Sequence, residues 1–450
     1  MQKPIIAIVG RPNVGKSTLF NRLVEERIAI VSDTAGTTRD RLYGEAEFAG
    51  REFIVIDTGG LALDAREDLP GTPSAMLAGV RNQAQVAMDE ADAIIFVTDV
   101  EQGPSPDDFE IANILRASKK PVYLVVNKAD NETRRQNAVE FFQLGLGEPI
   151  PISGLHGVGT GDLLDQIIAR LPEEIASAPS AIPHFAIVGR PNVGKSSLLN
   201  AILGEERALV SDIAGTTRDS IDTAIKWNDA PLVLIDTAGL RKRGQIDAGI
   251  EKYSSLRAIR AIQRADVALL VIDAADGIRA QDQHVASYIL AEGKGVVIVI
   301  NKWDLIEKDE RTMIEFTDRV RAQLDFIAYA PIVFVSAKTH QRVHRVIDAA
   351  LEVRAAWQMR VPTHELNELV REATARHVPA SKGKRHLKFL YATQVEGAPP
   401  TFVFFVNDKK LVHFTYERYL ENQLRARWGF VGAPLKMIFR TRRDEAKGAA

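Results

Sequence analysis

The amino-acid sequence predicts an α/β protein with two tandem doubly wound domains, each built on a mainly parallel sheet, and a small α+β domain after them. Three observations support this fold class. The segment GRPNVGKS occurs twice, at Gly10–Ser17 and at Gly189–Ser196. Strand-length apolar runs alternate with amphipathic helical patterns in each copy, which is typical of a parallel sheet covered by helices on both faces. Residues 357–450 repeat neither copy.

The composition is that of an ordinary globular protein, with 450 residues of which 46% are apolar and 26% charged. A chain of this length exceeds a single hydrophobic core, so we expect about three domains. Cysteine is absent, which excludes disulfides, thiolate zinc sites and cysteine nucleophiles and favours a reducing compartment, the cytoplasm. The apolar runs fall well short of the roughly 20 residues of a membrane span, so we expect no membrane partner.

Three further segments recur in the same order and at nearly the same spacing, so the chain contains a tandem domain duplication. They are DTAGTTRD and DIAGTTRD at Asp33–Asp40 and Asp212–Asp219, DTGG and DTAG at Asp57–Gly60 and Asp236–Gly239, and NKAD and NKWD at Asn127–Asp130 and Asn301–Asp304.

The predicted strands alternate with helices in both copies. They are Ile5–Val9, Phe53–Asp57, Ala93–Asp99, Val122–Asn127 and Ile150–Ser153 in the first copy, and Phe185–Val188, Leu232–Asp236, Val267–Asp273, Val296–Asn301 and Ile332–Ser336 in the second. An Ala/Ser/Pro-rich linker separates the copies, and a helix around Val343–Gln358 closes the second. The predicted domains are therefore 1–172 and 184–356, with a linker at 173–183 and a C-terminal domain at 357–450.

The repeated G-x-x-x-x-G-K-S motif follows an apolar strand and precedes a helical pattern, which is the context of a phosphate-binding loop. Its glycines allow backbone N–H groups to close around phosphate oxygens, and the helix N-terminus adds partial positive charge. We expect Lys16 and Lys195 to reach the β- and γ-phosphates of a nucleotide, and Ser17 and Ser196 to hold Mg²⁺. The alternative, a chance glycine turn, does not account for two identical motifs in this context.

Each D-x-x-G segment adds a carboxylate and a glycine to its predicted site. Asp57 and Asp236 end apolar strands, where a carboxylate can bind Mg²⁺ through water. Gly60 and Gly239 follow, and we expect their backbone N–H groups to contact the γ-phosphate. Asp and Gly are also common in turns, so the residue types alone do not indicate this role. The prediction depends on the position of the segment after the phosphate loop in both copies.

The N-K-x-D motifs select the base. A carboxylate at Asp130 or Asp304 accepts hydrogen bonds from both N1 and N2 of guanine, an edge that adenine lacks. A polar site of this kind discriminates between bases by about 10⁴–10⁵. An Asp here could instead be a helix N-cap, but its place after a sheet strand in both copies favours base recognition. The sequence thus predicts two sites for GTP or GDP.

The order G-x-x-x-x-G-K-S, Thr, D-x-x-G, N-K-x-D resembles that of the translation-factor-type P-loop GTPases. Two such domains before a small basic domain are similar to the EngA/Der family of bacterial GTPases, over essentially the whole chain. The resemblance implies in-line attack of water on the γ-phosphate, a KH-like C-terminal domain, and a role in assembly of the large (50S) ribosomal subunit with its rRNA as partner. We expect a monomer that does not bind DNA.

The residues expected to contact the nucleotide lie in these motifs. In the first copy they are Gly10, Arg11, Pro12, Asn13, Val14, Gly15, Lys16, Ser17, Asp57, Thr58, Gly59, Gly60, Leu61, Asn127, Lys128, Ala129 and Asp130. In the second copy they are Gly189, Arg190, Pro191, Asn192, Val193, Gly194, Lys195, Ser196, Asp236, Thr237, Ala238, Gly239, Leu240, Asn301, Lys302, Trp303 and Asp304.

By the same resemblance the G-T-T-R-D segments are switch I. Thr38 and Thr217 are the expected Mg²⁺-binding hydroxyls, in preference to Thr37 and Thr216. The expected catalytic residues are then Lys16, Thr38, Gly60, Lys195, Thr217 and Gly239, and the expected Mg²⁺ ligands are Ser17, Thr38, Asp57, Ser196, Thr217 and Asp236.

Two departures from the family pattern bear on the sites. The motif S-A-x-x-G closes the base loop in the family, and the second copy has His340 where the first has Gly157, which leaves the backbone contacts to guanine in the second site open. Leu61 and Leu240 follow D-x-x-G, where many GTPases have a glutamine that orients water. Intrinsic hydrolysis is therefore expected to be slow, unless another group orients the water.

Asn13 and Asn192 lie inside the phosphate loops. In similar GTPases with this pattern, such an Asn and the switch I backbone hold K⁺ against the phosphates, where a cation supplies charge in place of an arginine finger. The alternative is a turn-forming Asn.

The C-terminal domain carries the positive charge. Residues 357–450 hold 17 Lys+Arg against 9 Asp+Glu, and residues 1–356 hold 40 against 50 of the chain's 57 and 59. Net charges of +8 and −10 favour a polyanionic partner for this domain, but a basic surface that only confers solubility explains them equally well. Candidate phosphate contacts are Lys382, Lys384, Arg385, Lys388, Arg440, Arg442 and Arg443.

The elements of this domain are predicted in the order α-β-β-α-β. They are Thr363–Arg376, Leu387–Gln394, Thr401–Val406, Tyr416–Trp428 and Leu435–Arg440. We expect Phe402, Phe404 and Phe405 to pack in a core rather than stack on bases. The segment GFVG at Gly429–Gly432 is expected to end a helix, because a KH clamp loop would join two helices.

The sequence therefore predicts a GTP-hydrolysing protein, and its resemblance to the EngA/Der family implies that it serves as a ribosome-assembly factor. One alternative is a GTPase of the tRNA-modifying kind, which shares the G-T-T-R-D and Asn patterns but carries a C-terminal Cys that is absent here. Another is a GTP-gated RNA-binding scaffold with negligible hydrolysis.

Overall fold

In the computed structural model, contacts divide the described residues into two compact units. One unit contains a six-stranded sheet, and the other contains a seven-stranded and a three-stranded sheet. Among the helices of these described residues, none has the length and apolarity to cross a membrane. The described residues are 3–28, 43–57, 87–88, 91–171, 181–210, 222–237, 254–307, 309, 311–379 and 386–441.

The first unit is built on a sheet with the strand order β2-β3-β1-β4-β5-β6. Only the β2–β3 pair is antiparallel among these described strands, which confirms the predicted mainly parallel sheet. The strands are β1 (Ile5–Val9), β2 (Tyr43–Phe48), β3 (Arg51–Asp57), β4 (Ala93–Asp99), β5 (Val122–Asn127) and β6 (Ile150–Pro151). The helices are α1 (Lys16–Ile28), α2 (Pro106–Leu115), α3 (Glu132–Asn137) and α4 (Thr160–Ile168), with a 3₁₀ segment at Ala138–Leu144.

The second unit contains a sheet with the same core arrangement, in the order β13-β12-β11-β7-β10-β9-β8. Its strands are β7 (His184–Val188), β8 (Ala208–Val210), β9 (Thr223–Trp227), β10 (Ala230–Ile235), β11 (Val267–Asp273), β12 (Gly295–Asn301) and β13 (Ile332–Phe334). The helices of this part are α5 (Lys195–Leu203), α6 (Ser254–Arg264, of which 258–264 belong to this unit), α7 (Ala280–Ala291), α8 (Thr312–Gln323) and α9 (His344–Trp357). Strand β9 pairs antiparallel with both β8 and β10 at one edge. The pairs that β7, β11 and β12 form are all parallel.

The central strands of both sheets are continuous apolar runs because water reaches neither face. Every residue of β1, β4, β11 and β12 is buried. The phosphate loops follow β1 and β7, and the N-K-x-D loops follow β5 and β12. All of these loops leave the carboxyl ends of parallel strands, the edge at which open α/β sheets bind their ligands.

The three-stranded sheet belongs to the C-terminal domain, which has the predicted α-β-β-α-β order. Its elements are α10 (Thr363–Arg376), β14 (Phe389–Val395), β15 (Thr401–Val406), α11 (Phe414–Trp428) and β16 (Lys436–Arg440), in sheet order β14-β15-β16. Phe402 and Phe404 are fully buried, which confirms that they pack in the core. Phe405 is half-buried and packs against Tyr391 with ring centroids 6.2 Å apart.

The segment Gly429–Gly432, here called the docking turn, ends α11 as predicted. The Gly429 N–H donates to the Arg425 carbonyl at 2.8 Å, and Gly429 has a left-handed φ of 84°. The turn also joins the C-terminal domain to the seven-stranded sheet, since the Val296 N–H of β12 donates to the Gly432 carbonyl at 2.9 Å. A Cβ on Gly432 would lie 2.3 Å from a Val353 methyl, so the close approach requires glycine.

Side chains reinforce this junction within the second unit. The Trp357 indole N–H donates to the Gly293 carbonyl at 2.7 Å. The Arg425 guanidinium lies over the Tyr329 ring, 4.0 Å from its centroid, which is the geometry of a cation–π contact. Burial raises the pKa of the Tyr329 hydroxyl above its usual value. The C-terminal domain is thus anchored to the second nucleotide-binding fold by main-chain and aromatic contacts together.

Candidate functional site

The loop between β1 and α1 has a backbone conformation that requires glycine at two positions. Gly10 has a φ of 155° and Gly15 a φ of 93°. A Cβ on Gly10 would lie 2.3 Å from the Val97 carbonyl oxygen, and a Cβ on Gly15 would lie 2.3 Å from Asn127 Nδ2. Glycine therefore lets the loop approach the ends of β4 and β5 closely.

The loop between β7 and α5 has the same shape. Gly189 and Gly194 have φ values of 143° and 92°. Added Cβ atoms would lie 2.4 Å from the Val271 carbonyl oxygen and 2.3 Å from Asn301 Nδ2. The identical sequence therefore folds identically, against equivalent strands of two different sheets.

A buried lysine begins the helix after each loop. Lys16 is 8% exposed and Lys195 is 7% exposed. Lys16 Nζ donates to the carbonyls of Gly10 and Arg11, both at 2.8 Å. Lys195 Nζ makes the two equivalent bonds in the second loop, at 2.8 and 2.5 Å. Each ammonium group is thus held by main-chain oxygens of its own phosphate loop.

Ser17 and Asp57, both predicted Mg²⁺ ligands, meet in the first copy. Ser17 Oγ donates to Asp57 Oδ2 at 2.6 Å, and Asp57 is 3% exposed at the end of β3. In the second copy β10 ends at Ile235, one residue earlier than predicted. Asp236 there has a left-handed φ of 55°, and its N–H donates to Asp222 Oδ1 at 3.0 Å. The two D-x-x-G segments therefore begin with different backbone conformations.

Contacts of the second copy hold Asp236 in this conformation. Asp222 also forms an ion pair with Arg264 at the end of α6. The Thr223 and Thr237 hydroxyls share a hydrogen bond at 2.6 Å, and Thr237 is buried. A left-handed non-glycine residue costs about 1 kcal/mol, and these surrounding bonds offset that strain.

A single asparagine joins the phosphate loop to the base loop in each copy. Asn127 Nδ2 donates to the Val14 carbonyl at 2.9 Å, and Asn127 Oδ1 accepts the Gly154 N–H at 2.9 Å. Asn301 makes the same two bonds, to the Val193 carbonyl at 2.9 Å and from the Ala337 N–H at 3.0 Å. Both asparagines are nearly fully buried.

The other polar residues of the N-K-x-D loops are fixed by neighbouring strand ends. Lys128 Nζ lies 2.6 Å from Asp99 Oδ2, and Lys302 Nζ lies 2.6 Å from Asp273 Oδ2. The hydrogen bond from Lys128 to Asp99 raises the pKa of the Lys128 ammonium, against the opposing effect of burial. The lysines of both base loops are thereby held against a carboxylate at the end of the neighbouring strand.

The carboxylate of Asp130 is held in place on both oxygens. Ser153 Oγ donates to Asp130 Oδ1 at 2.6 Å, and Arg134 Nη1 lies 3.3 Å from Asp130 Oδ2. These two contacts therefore set the orientation of the predicted base-selecting group of the first site.

His340 keeps the backbone shape that Gly157 has in the first copy. Their φ values are 57° and 75°. Each base loop is closed by an antiparallel bridge, between Ser153 and Val158 in one and between Ser336 and Gln341 in the other. The second loop therefore tolerates histidine at a position where glycine is unstrained, and its contacts to guanine stay a prediction.

Several residues predicted to contact the nucleotide instead support the loops from within the core. Val14, Val193, Ala129 and Trp303 are 1%, 1%, 1% and 3% exposed. The Trp303 ring packs against Phe334, with centroids 4.5 Å apart. Contact of these residues with a nucleotide would involve their backbone.

Asn13 and Asn192 have φ values of 66° and 64° and are exposed. Asparagine tolerates this region better than most residues, so a turn-forming role fits the structure, and K⁺ binding stays a prediction. Other predicted residues lie outside the described part of the chain. They are Thr37, Thr38, Thr58, Gly59, Gly60, Leu61, Thr216, Thr217, Ala238, Gly239, Leu240, Lys382, Lys384, Arg385, Arg442 and Arg443.

Sequence reasoning missed four buried aspartates that support the sites. Asp99 and Asp273 are the last residues of β4 and β11 and pair with the base-loop lysines. In the sequence, each is recognisable as an aspartate at the end of an apolar run. Asp108 and Asp282 lie in the first turns of α2 and α7. The signal for Asp108 was the capping pattern Ser105-x-x-Asp108 at the start of a helix.

A doubly wound sheet carrying a phosphate loop and an N-K-x-D loop tied to it, present twice, defines a P-loop GTPase with two nucleotide sites. A family model described as 50S ribosome-binding GTPase matches residues 5–128 and 184–302. A second model, described as the KH-domain-like C-terminal part of EngA bacterial GTPase enzymes, matches residues 360–440.

Curated relatives named GTPase Der align along the whole chain. The protein of Symbiobacterium thermophilum is 53% identical over 447 residues, covering 99% of this chain and 93% of the relative. That of Chloroflexus aggregans is 54% identical over 445 residues, covering 98% and 99%. The chain therefore belongs to the GTPase Der family, and its reaction is the hydrolysis of GTP to GDP and phosphate.

Solved structures align less closely. Era in complex with MgGDPNP and nucleotides 1506–1542 of 16S ribosomal RNA is 21% identical, covering 78% of this chain and 99% of that chain. The TM-score is 0.30, which supports no inference beyond the alignment itself.

Proposed function

We propose that both sites bind and hydrolyse GTP with equivalent residues in equivalent roles. Lys16 and Lys195 bind the β- and γ-phosphates, and Asp130 and Asp304 receive N1 and N2 of guanine. The backbone N–H groups of the D-x-x-G glycines, Gly60 and Gly239, meet the γ-phosphate.

One observation carries this proposal. Asn127 and Asn301 each connect a phosphate loop to a base loop through two buried hydrogen bonds. A nucleotide has its phosphates and its base at opposite ends, so a group that fixes the two loops relative to each other sets the length of ligand they accept. The same connection occurs in both copies, which supports nucleotide binding at both.

Magnesium fits the first site, because the Ser17 hydroxyl and the Asp57 carboxylate converge there as the hard oxygen donors that this ion prefers. When bound, Mg²⁺ neutralises negative charge on the β- and γ-phosphate oxygens. The proposed ligands are Ser17, Thr38 and Asp57 in the first site and Ser196, Thr217 and Asp236 in the second. The different start of the second D-x-x-G segment suggests that the two sites respond differently to Mg²⁺.

Neither site has a glutamine after D-x-x-G, since Leu61 and Leu240 occupy those positions. K⁺ held at Asn13 and Asn192 would supply positive charge beside the phosphates. The exposure of both asparagines in the loops supports this role. We therefore propose that K⁺ stimulates GTP hydrolysis.

We infer that the partner is the large ribosomal subunit, contacted through phosphates of its RNA. The family description 50S ribosome-binding GTPase and the net charge of the C-terminal domain support this inference. Phe402 and Phe404 are buried and so cannot stack on bases, and we infer that exposed cations carry the contact to phosphates. The exposed cations among the described residues of this domain are Arg360, Arg371, Arg376, Lys388, Lys409, Lys410, Arg418, Arg427, Lys436 and Arg440.

Phosphate release at each site tests the enzymatic proposal. Lys16→Ala and Lys195→Ala each silence one site, and the double variant silences both. We expect each single variant to keep part of the wild-type release and the double variant to keep none. Release by the double variant would contradict the site assignment. Release too slow to detect in wild type, even with K⁺, would favour the GTP-gated scaffold.

Sedimentation with purified ribosomal subunits tests the partner. We expect wild-type protein to pellet with large subunits in a manner that depends on GTP, GDP or a non-hydrolysable analogue. The double variant Lys409→Glu/Lys410→Glu should pellet less than wild-type protein. The difference between the two should shrink at high salt, where phosphate contacts are weak. Pelleting with small subunits only would contradict the inference, and binding of tRNA alone would favour the tRNA-modifying alternative.

A further inference from the structure

The second residue of each phosphate loop is an arginine whose side chain pairs with a buried aspartate in the first turn of a later helix, α2 in the first copy and α7 in the second. Arg190 Nε donates to Asp282 Oδ2 at 2.8 Å. Arg11 Nε lies 3.3 Å from Asp108 Oδ1, an ion pair without hydrogen-bond geometry. The two aspartates stand at the same separation from Asn127 and Asn301, so the pair is duplicated with the domains.

These pairs are removed from solvent. Both aspartates are fully buried, and both arginine side chains are 13% exposed. Asp108 and Asp282 each also accept the backbone N–H that begins their helix, from Ser105 at 3.0 Å and from Arg279 at 2.9 Å. A buried carboxylate is stable only when it is paired and hydrogen-bonded. Asp282 therefore ties Arg190 to the start of its helix by a hydrogen bond, and Asp108 holds Arg11 by charge alone.

The main chain of each arginine also holds the lysine of its phosphate loop. The carbonyls of Arg11 and Arg190 accept hydrogen bonds from Lys16 and Lys195, the lysines that bind phosphate in the proposed function. The side chain anchors the residue to the helix, and its carbonyl places the lysine ammonium. Burial raises the pKa of Asp282, while the Arg279 backbone N–H and the charges of Arg190 and Lys195 lower it. The lysine is therefore within electrostatic reach of this aspartate.

We propose that Asp108 and Asp282 are positioning residues for nucleotide binding, which act through Arg11 and Arg190 to hold the phosphate loops in their binding shape. This inference rests on the proposed nucleotide sites. The arginine side chains are engaged by the aspartates, so they shape the loop rather than receive the phosphates. A loop that is ordered beforehand binds more tightly because ordering does not oppose binding. Loss of the anchor should raise Kd and KM for the nucleotide and leave kcat nearly unchanged.

The test uses full-length protein in which one site is silenced. In a Lys16→Ala background, Asp282→Asn keeps an acceptor for the Arg279 N–H but removes the charge that holds Arg190. We expect Kd for GDP and KM for GTP to rise about tenfold, as loss of a charged hydrogen bond implies, with kcat within about twofold. In a Lys195→Ala background, Asp108→Asn should have a smaller effect, because its pair lacks hydrogen-bond geometry.

A double-variant cycle separates positioning from stability. Arg190→Gln should weaken binding at least as much as Asp282→Asn, because it also removes the Arg190 bonds to Asp276 Oδ2 and the Gly277 carbonyl. The combined variant should be no weaker than Arg190→Gln, because the Arg190–Asp282 interaction is already lost in that single variant. Val320→Ala, a buried change on α8, is the control that lowers the melting temperature without changing Kd. Unchanged Kd in Asp282→Asn, or additive losses in the combined variant, would overturn the proposal.

The same assay distinguishes a wrong site assignment from a wrong positioning role. If Lys195→Ala still bound nucleotide at the second site, the site assignment itself would fail. If Lys195→Ala lost binding while Asp282→Asn and Arg190→Gln bound normally, only the positioning role would fail. Should Asp282→Asn not fold, Arg190→Lys tests the same anchor with the charge kept and the Nε–H donor to Asp282 lost. An unchanged Kd in that variant also overturns the proposal.

Discussion

Replacing Asn301 with alanine should uncouple the two nucleotide-binding loops of the second site. The change removes a donor to the Val193 carbonyl and an acceptor for the Ala337 N–H, which lie 2.9 and 3.0 Å from the amide. Asn301 is 1% exposed, so water does not replace either partner. We therefore expect Asn301→Ala to weaken nucleotide binding at this site.

The magnitude follows from the two main-chain groups left unpaired. A buried group without its hydrogen bond costs about 1–3 kcal/mol, so the pair together costs at least about 2 kcal/mol. If that loss appears in binding, the affinity for GDP falls about 30-fold. If the loops stay in place without the amide, this cost lowers the free energy of unfolding instead of the affinity.

The assay is titration of GDP in a Lys16→Ala background, together with thermal unfolding. Asn367→Ala is the control, because Asn367 also bonds the main chain through both amide atoms, but in the C-terminal domain. It makes two bonds with Ala392, at 2.8 and 2.9 Å, and a third with the Thr363 carbonyl at 2.7 Å. Asn367→Ala should lower the melting temperature and leave the affinity unchanged. Equal affinity in Asn301→Ala and Asn367→Ala would refute the reasoning that the asparagine couples the loops.

Three further predictions concern the base, the monovalent ion and pH. Asp130→Asn or Asp304→Asn should weaken GTP at the changed site by at least about tenfold and favour xanthosine nucleotides, because one acceptor of the guanine pair is lost; competition binding measures this, and unchanged GTP affinity would count against the assignment. K⁺ should stimulate phosphate release over Na⁺ at matched ionic strength if Asn13 and Asn192 hold the ion, and equal rates would exclude that role. Burial lowers the pKa of Lys294 from 10.5, so the folded state binds this proton less tightly than the unfolded chain and stability rises with pH from the lowered pKa towards 10.5. Lys294→Met should abolish that rise in urea unfolding, and a rise that survives the change would contradict it.

The central strands were predictable because a strand that is buried on both faces is a continuous run of apolar residues. Strands β1, β4 and β11 have the predicted bounds Ile5–Val9, Ala93–Asp99 and Val267–Asp273. The antiparallel strands at Tyr43–Phe48 and Thr223–Trp227 were missed. Each mixes polar and apolar residues, and a short amphipathic run gives no clear helix or strand period.

The motif residues of the sites were predictable, but the contacts that position them were not. Asp282 and Arg190 are separated by 92 residues, and no local pattern indicates that they meet. The left-handed start of the second D-x-x-G segment depends on Asp222, which has Tyr43 as its counterpart in the first copy. Differences between duplicated sites thus arise from residues outside the shared motifs.

Strand β12 spans the second nucleotide-binding fold from the docking turn to the nucleotide loops. Near its start, the Val296 N–H bonds Gly432 of the C-terminal domain, and at its end Asn301 joins the phosphate and base loops. A strand of seven residues is about 23 Å long and stretches very little. Its two ends make separate contacts, one with the C-terminal domain and one with the phosphate and base loops. The C-terminal domain and the loops joined by Asn301 are therefore connected by one continuous, fully buried strand, and we expect a displacement at one end to be felt at the other.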